Sequence, residues 1–348
     1  MPESFAIPGV DIPFTPLVKN QKPRKDAFVS TVRVSVVIVN YRQWKWTEQL
    51  VRRLSRCAAV RQGRAEILII DNNSPHHPAI RKLQSKEFVT LRRWRRNRGF
   101  SCAVNEGCKY SSGDWILILN PDITPAPRFL DQIEELLDQP GRIPAKTGII
   151  GFGLRNPDGS FQGSTGPLPT FWGTMLRRVL PRAWRKYDLH NNNEARKVDW
   201  LTGCCMLVRR ECIRDLKRFD QDFFLYYEDV DFCKRATDAG WDVLHDPSLF
   251  VIHHEPLHTR RVPPRLRVIT RQALMTYAAK HWRGSEARWM CRVIRIEAKI
   301  RLAVARIQGD GRSAKWYDRL ARYAALMCNG SLRVARGEFL AALAEPVH

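Results

Sequence analysis

Val34-Ser-Val-Val-Ile-Val-Asn40 is the stretch whose reading decides the fold. Its β-branched residues run almost without interruption, and the polar pair Asn40-Tyr41 closes it. A strand wetted on one face alternates apolar and polar residues. A nearly continuous apolar run is expected of a strand buried on both faces of a parallel sheet. Similar buried runs stand at Ala65-Glu-Ile-Leu-Ile-Ile70 and Trp115-Ile-Leu-Ile-Leu119, and further strands are expected near 89–92 and at 147–152. Helical stretches are expected between these runs, over 46–60, 79–85, 101–111 and 127–138. Strands alternating with helices imply right-handed βαβ units. The fold class is therefore α/β: a mostly parallel, Rossmann-like sheet flanked by helices.

Outward from this core the composition changes. Residues 1–30 carry Pro2, Pro8, Pro13, Pro16 and Pro23 and read as an extended arm. Asn156-Pro-Asp-Gly-Ser160 is turn chemistry. Residues 161–197 read as a loop-rich insertion. Order resumes at Val198-Asp-Trp-Leu201 and 205–208. A helix over 227–239, closed by Gly240, precedes a short strand ending at Val251-Ile-His-His254. The main domain is thus 31–256. Residues 257–348 read as a helical segment with 19 Lys/Arg against 6 Asp/Glu. On a helical wheel, Arg292, Arg295, Lys299 and Arg306 share one face, and Val293, Ile296, Ile300, Val304 and Ile307 share another. Two readings follow: a basic amphipathic helix for an anionic membrane surface, or an ordinary helix packing its apolar stripe on the core. The second is preferred, because any docked helix looks like this.

The whole chain has 348 residues, a mass of 40.3 kDa, a formal charge of +23 and a pI of about 10.1. A 44% hydrophobic content excludes a disordered or low-complexity chain. The charge points to an anionic partner. Nine cysteines without a C-x-x-C pair argue against a zinc ribbon or dithiol site. No apolar run approaches the ~20 residues of a membrane span. Glu3, Asp11 and the prolines do not resemble a secretory leader, so a cytoplasmic setting is expected.

Ligands of open α/β sheets bind beyond the C-terminal strand ends. Four polar clusters fall there: Asn40-Tyr41, Asp71-Asn72-Asn73, the loop Arg93-Trp-Arg-Arg-Asn-Arg-Gly99, and Asn120-Pro-Asp122. Asp71 could accept from a base or a ribose, or simply close a turn. The basic loop entering a helix N-terminus suits a phosphate, with Gly99 allowing close approach. Asp122 could ligate Mg²⁺ or Mn²⁺. Glu228, Asp229 and Asp231 crowd a helix start, as dipole compensation or around a general base. His253 or His254 could be a metal ligand. No G-x-G-x-x-G follows the first strand and no P-loop occurs.

Taken in order, these clusters resemble the family 2 glycosyltransferases, inverting enzymes with the GT-A fold. The likeness is greatest to the rhamnosyltransferase-like branch that builds bacterial cell-surface glycans. It rests on Ser35-Val-Val-Ile-Val-Asn-Tyr41, Ile69-Ile-Asp-Asn-Asn-Ser74, Asn97-Arg-Gly-Phe100 with Asn105-Glu-Gly107, and Leu117-Ile-Leu-Asn-Pro-Asp122. It continues through Asp199-Trp-Leu-Thr-Gly203, Phe219-Asp-Gln-Asp-Phe-Phe-Leu-Tyr-Tyr-Glu-Asp-Val-Asp231 and Val251-Ile-His-His254. The resemblance implies that Asn40 and Asp71 line a nucleoside pocket. Asn97, Gly99, Asn105, Asn120 and Gly203 would shape the nucleotide-sugar site. Asp122 and His253, with His254 as the alternative, would hold a divalent cation, Mg²⁺ or Mn²⁺. Asp229 would be the general base, with Glu228 beside it. The implied reaction moves a sugar, rhamnose first among candidates, from a nucleoside-diphosphate donor to a glycan or lipid-linked saccharide acceptor at the inner membrane face. Asn120 stands where the family's D-x-D has its first Asp, and Glu255-Pro256 where Gly-Gly is common.

Two readings of other classes compete. A nucleic-acid-binding protein would use the charge and Trp94, but leaves the three carboxylates without a role; no nucleic acid is expected. A catalytically inactive nucleotide-sugar-binding scaffold is invited by Asn120.

Overall fold

The computed structural model describes residues 32–179, 194–254 and 262–344. The Pro-rich arm and part of the 161–197 insertion lie outside the described residues. The chain opens with β1 (Val34–Asn40), α1 (Trp44–Leu54), α2 (Ala58–Arg61), β2 (Ala65–Asp71), α3 (Ala79–Gln84), β3 (Val89–Arg93), α4 (Phe100–Tyr110) and β4 (Trp115–Leu119). It continues with β5 (Ile123–Pro125), α5 (Phe129–Asp138), β6 (Thr147–Arg155), β7 (Phe161–Gln162), β8 (Thr165–Gly166) and α6 (Phe171–Val179). Next come β9 (Arg196–Lys197), β10 (Trp200–Leu201), β11 (Cys205–Arg209), α7 (Arg210–Asp215), α8 (Glu228–Asp238) and β12 (Asp242–His253). The described chain closes with α9 (Pro264–His281), α10 (Gly284–Ile307), α11 (Gly311–Cys328) and α12 (Leu332–Ala344).

The main sheet runs β3-β2-β1-β4-β11-β6-β12-β5, with β7 on β6 and β9 on β12. β3, β2, β1 and β4 are parallel neighbours, and so are β6 and β12. Every residue of β1 is buried. Val34, Val36 and Ile38 enter one apolar layer; Val37 and Val39 enter the opposite one. The continuous apolar run is thus explained by burial on both faces.

Two antiparallel strands place the site. β11 lies reversed between β4 and β6, with Cys205 opposite Leu119. The turn at 203–204 therefore meets the segment leaving β4. β5 pairs with β12 so that Ile123 faces His253. That register brings Asp122 beside the histidine.

Three expectations need correction. The helix expected over 46–60 breaks at 55–57, because the buried carboxylate of Asp131 caps a new start at the amides of Ala58 (3.2 Å) and Ala59 (2.7 Å). The short strand ending at 254 is the end of the 12-residue β12, which bulges between Asp246 and Phe250. The third concerns α10. Its buried side is Ala287, Met290, Cys291, Ile294, Ala298 and Ala305, whereas Ile296, Ile300, Val304 and Ile307 are exposed. The stripe expected to pack on the core faces outward instead.

Among the described residues no helix is long and apolar enough to cross a membrane. Of the C-terminal helices, α9 packs against the α8 layer, and α10, α11 and α12 pack around α9 and one another. Ala273 and Tyr277 of α9 join the layer that holds α8, and Phe224 joins the cluster formed by α9, α10 and α11.

Candidate active site

The floor of the site is a closed hydrogen-bond network at the ends of β1 and β2. Asn40 Nδ2 donates to Asp71 Oδ1 (2.9 Å) and Ser74 Oγ (3.0 Å), while Arg93 Nε donates to Asp71 Oδ2 (2.9 Å). Asn40 and Asp71 are both fully buried. They shape the floor of the site on which the sequence reading places a nucleoside. Arg93, expected to meet a phosphate with its loop, is committed to Asp71.

One step further in, Asn72 clamps the loop before α4. Its Oδ1 accepts from the Arg98 amide (2.8 Å) and its Nδ2 donates to the Gly99 carbonyl (3.0 Å). Asn97 Oδ1 accepts from the Gly99 amide (2.9 Å). Gly99 sits at φ +89°, and a Cβ there would lie 2.6 Å from the Phe224 carbonyl oxygen. Only glycine lets this loop dock on the 219–227 segment. Asn105 sits deeper along α4. Its side chain bonds both the amide and the carbonyl of Phe219 (3.0 and 2.8 Å). It braces the same segment from within. Trp94 packs into the apolar layer beneath, with Arg98 stacked 4.7 Å above its ring.

The carboxylates gather around the reversed strand. The Asn120 amide donates to the Cys204 carbonyl (2.9 Å), which fixes the start of the Asn120-Pro-Asp122 turn. Burial first, and then the nearby Asp122 and Asp229 carboxylates, push the Cys204 thiol up to about 12. This inert thiol marks the point between the two acids. Asp122 Oδ2 lies 3.4 Å from His253 Nε2. His253 Nδ1 in turn meets Gln162 Nε2 at 2.9 Å. His254 points elsewhere: it bonds Thr124 Oγ1 (2.9 Å) and stacks on Trp46 at 4.5 Å. Of the two histidines, His253 faces the acid.

Asp229 opens α8. Its Oδ2 accepts from the Gly203 amide (3.0 Å) and its Oδ1 from the Val230 amide (2.9 Å). A Cβ on Gly203 would sit 3.5 Å from that of Asp229, so the turn before β11 lies directly against the acid. Glu228 is buried beside it. The two residues before them, Tyr226 and Tyr227, hold φ of +73° and +65°. Bulky residues adopt that region only when surrounding contacts enforce it. Neither this strain nor Gln162 was singled out by the sequence. The Tyr-Tyr-Glu-Asp run was visible, but its backbone was not. Gln162 lies in a two-residue strand with no motif around it.

The donor set suits a small hard cation shared with a substrate. Asp122 and His253 are close enough to be two ligands of one ion, and phosphate oxygens would complete it. Among the described residues no three His, Cys, Asp or Glu side chains form a closed metal cage.

The sequence profile of glycosyl transferase family 2 matches residues 35–217. The chain belongs to this family. It is 30% identical over 280 residues to an N-acetylglucosaminyl-diphospho-decaprenol L-rhamnosyltransferase of Mycobacterium tuberculosis, covering 74% of this chain and 88% of that one. A low-salt glycan biosynthesis hexosyltransferase of Haloferax volcanii is 26% identical over 66% of this chain and 69% of its own length. Among solved structures, GalNAc-T7 with UDP, GalNAc and Mn²⁺ superposes at a TM-score of 0.51 and 17% identity, over 72% of this chain and 50% of that one. The fold is GT-A, with a helical C-terminal segment. As a family 2 glycosyltransferase, the protein transfers a sugar from a nucleotide-sugar donor.

Proposed function

We propose that this glycosyltransferase moves rhamnose from a nucleoside-diphosphate donor onto a lipid-linked saccharide, in one inverting displacement. The observation that carries the reading is the meeting of Asp122, His253, Gly203 and Asp229 on one side of the strand ends. It separates a cation-and-diphosphate end from a carboxylate end. The 30% identity to a rhamnosyltransferase acting on a decaprenol-linked sugar supports the substrate class.

Asp229 accepts the proton of the acceptor hydroxyl as that oxygen bonds to the anomeric carbon. The bond from that carbon to the nucleoside diphosphate breaks, and its electron pair leaves with the diphosphate. The two backbone amides on Asp229 hold the carboxylate in one orientation while leaving lone pairs toward the acceptor. Asp122 and His253 would hold the divalent cation, whose charge offsets that of the departing diphosphate. Gln162 keeps the His253 ring turned to Asp122. The proposed setting is the cytoplasmic side of a membrane, where a lipid-linked acceptor is presented.

The test is turnover. Purified protein is incubated with Mn²⁺, a polyprenyl-diphosphate-linked N-acetylglucosamine, and dTDP-rhamnose, UDP-hexoses or GDP-sugars in parallel, and products are read by mass spectrometry. A rhamnosylated lipid formed only with dTDP-rhamnose, and lost in Asp229→Asn, is expected. A hexose transferred in preference overturns the sugar assignment. Binding of a nucleotide sugar with no transfer to any acceptor would favour the inactive scaffold.

A further inference from the structure

α10 carries a surface that the transfer reaction does not use. Trp289, Ile296, Ile300, Val304 and Ile307 are spaced by seven, four, four and three residues, so they line one face of the helix. All are exposed, Ile307 to 86% and Trp289 to 56%. The face spans about 27 Å at 1.5 Å per residue. Arg288, Arg292, Arg295, Lys299 and Arg306 are exposed along its flank. Arg292 stacks on the Trp289 ring at 5.3 Å. The acid within this stretch, Glu297, is half-buried and engaged by Arg271 (3.0 Å) and Arg301 (3.1 Å). No uncompensated negative charge interrupts the basic edge. Beside α10 lies α6. Its Phe171 and Met175 pack toward the helical cluster, while Trp172 and Leu176 are 75% and 63% exposed.

We propose that the outer face of α10 docks in the plane of an anionic lipid bilayer. The argument is charge and shape together. A row of branched aliphatic side chains with a Trp at one end is what the headgroup–acyl boundary accepts, and the arginine flank matches anionic headgroups. A nucleic acid would be served by the arginines but gains nothing from four exposed Ile and Val side chains. A helix partner would not require a flank so uniformly basic. The proposal does not depend on the sugar or the acceptor. It supplies a reason for the exposed stripe and for part of the +23 charge.

The experiment is vesicle flotation with full-length protein, using phosphatidylcholine vesicles with and without 30% phosphatidylglycerol, chosen as about one lipid in three. The protein is expected to float with the anionic vesicles and to remain in the dense fraction with the neutral ones. The variant Ile300→Asp/Ile307→Asp should lose binding. Arg292→Glu/Lys299→Glu should weaken it about fivefold or more per residue changed. High salt should act in the same direction. Both variants are on exposed positions, so unchanged thermal unfolding and an unchanged nucleotide-induced rise in Tm serve as fold controls. Equal flotation of the variants, or equal affinity for neutral vesicles, overturns the proposal. So does a dimer in light scattering, or binding to RNA, that the aliphatic variant abolishes while flotation persists.

Discussion

Asp229→Asn separates the acid's chemistry from its structural role. In the folded protein each carboxylate oxygen accepts one backbone amide, from Gly203 at 3.0 Å and Val230 at 2.9 Å. Asparagine has a single side-chain acceptor. Whichever way its amide turns, one backbone N–H faces another N–H in a site only 7% exposed. A buried donor left without an acceptor costs about 1–3 kcal/mol. The same substitution removes the proposed proton acceptor, an expected loss of about 10²–10⁴ in kcat. Donor binding should change by no more than a few-fold, because the substitution leaves the proposed cation ligands Asp122 and His253 in place. Urea unfolding, steady-state transfer and nucleotide titration read the three quantities separately. A variant that retains more than a tenth of wild-type kcat would refute the base assignment. One that is inactive but as stable as wild type would refute the two-amide clamp.

Three further outcomes follow from the geometry. Gly99→Ala should destabilise by about 3 kcal/mol or more, since it adds a strained positive φ to a clash with the Phe224 carbonyl; denaturant unfolding checks this, and a loss under 1 kcal/mol would contradict the close docking of the loop. Gln162→Leu should weaken Mn²⁺ affinity about 10–100-fold by freeing the His253 ring, read by Mn²⁺ titration of Tm with nucleoside diphosphate present; unchanged affinity would remove Gln162 from the site. Burial in β12 lowers His245 from 6.5 to about 4, so the folded state resists a proton that the unfolded chain takes up. This contribution is complete above pH 6.5 and is lost as pH falls toward 4. Wild type should lose about 2 kcal/mol more than His245→Phe between pH 7.5 and 5.0 in urea unfolding, and parallel profiles would show that His245 is not responsible.

Much of the core was legible because burial on both faces leaves a local mark. Val34–Asn40 and Trp115–Leu119 are almost wholly apolar, and the Asn120-Pro-Asp122 cluster follows the second at once in sequence. Asp122 stands out as a carboxylate at a strand end, and Asp229 as one of three carboxylates at a helix start. What escaped depends on neighbours distant in sequence. β12 is interrupted by Asp246-Pro-Ser248, which reads as a turn until β6 is seen to carry the strand across the bulge. Gln162 reaches His253 only through sheet registry. The Asn40–Asp71 hydrogen bond joins two strand ends 31 residues apart, and only the pairing of β1 with β2 reveals it. α10 failed for another reason. It has two apolar sides, one of small and flexible residues such as Ala298, Ala305 and Met290, the other β-branched. A helical wheel shows the second more strongly, yet close helix packing selected the first.

The C-terminal helices belong to the logic of the site as well as to its surroundings. Tyr226 and Tyr227 hold conformations that cost on the order of 1–3 kcal/mol each, immediately before the acids of α8. Something must enforce them. Tyr227 lies against the Tyr277 ring of α9 at 5.5 Å. The next residue of that brace, His281, meets Asp231 Oδ1 at 2.7 Å, while Arg235 occupies Oδ2 at 2.8 Å. Lys280 ties the preceding loop through Asp220 (2.8 Å) and Asp222 (2.7 Å). Burial pulls the Lys280 ammonium down, but these two acids outweigh it and hold its pKa above the usual value. α9 thus grips both ends of the segment that presents Glu228 and Asp229. α10 packs on α9 through its small-residue side and turns its basic, aliphatic side outward. One helical layer thereby holds the segment bearing the proposed base on its inner side and carries the proposed lipid contact on its outer side. Bilayer contact through α10 would then be linked through α9 to the proposed base, which suits the lipid-linked acceptor proposed for this enzyme.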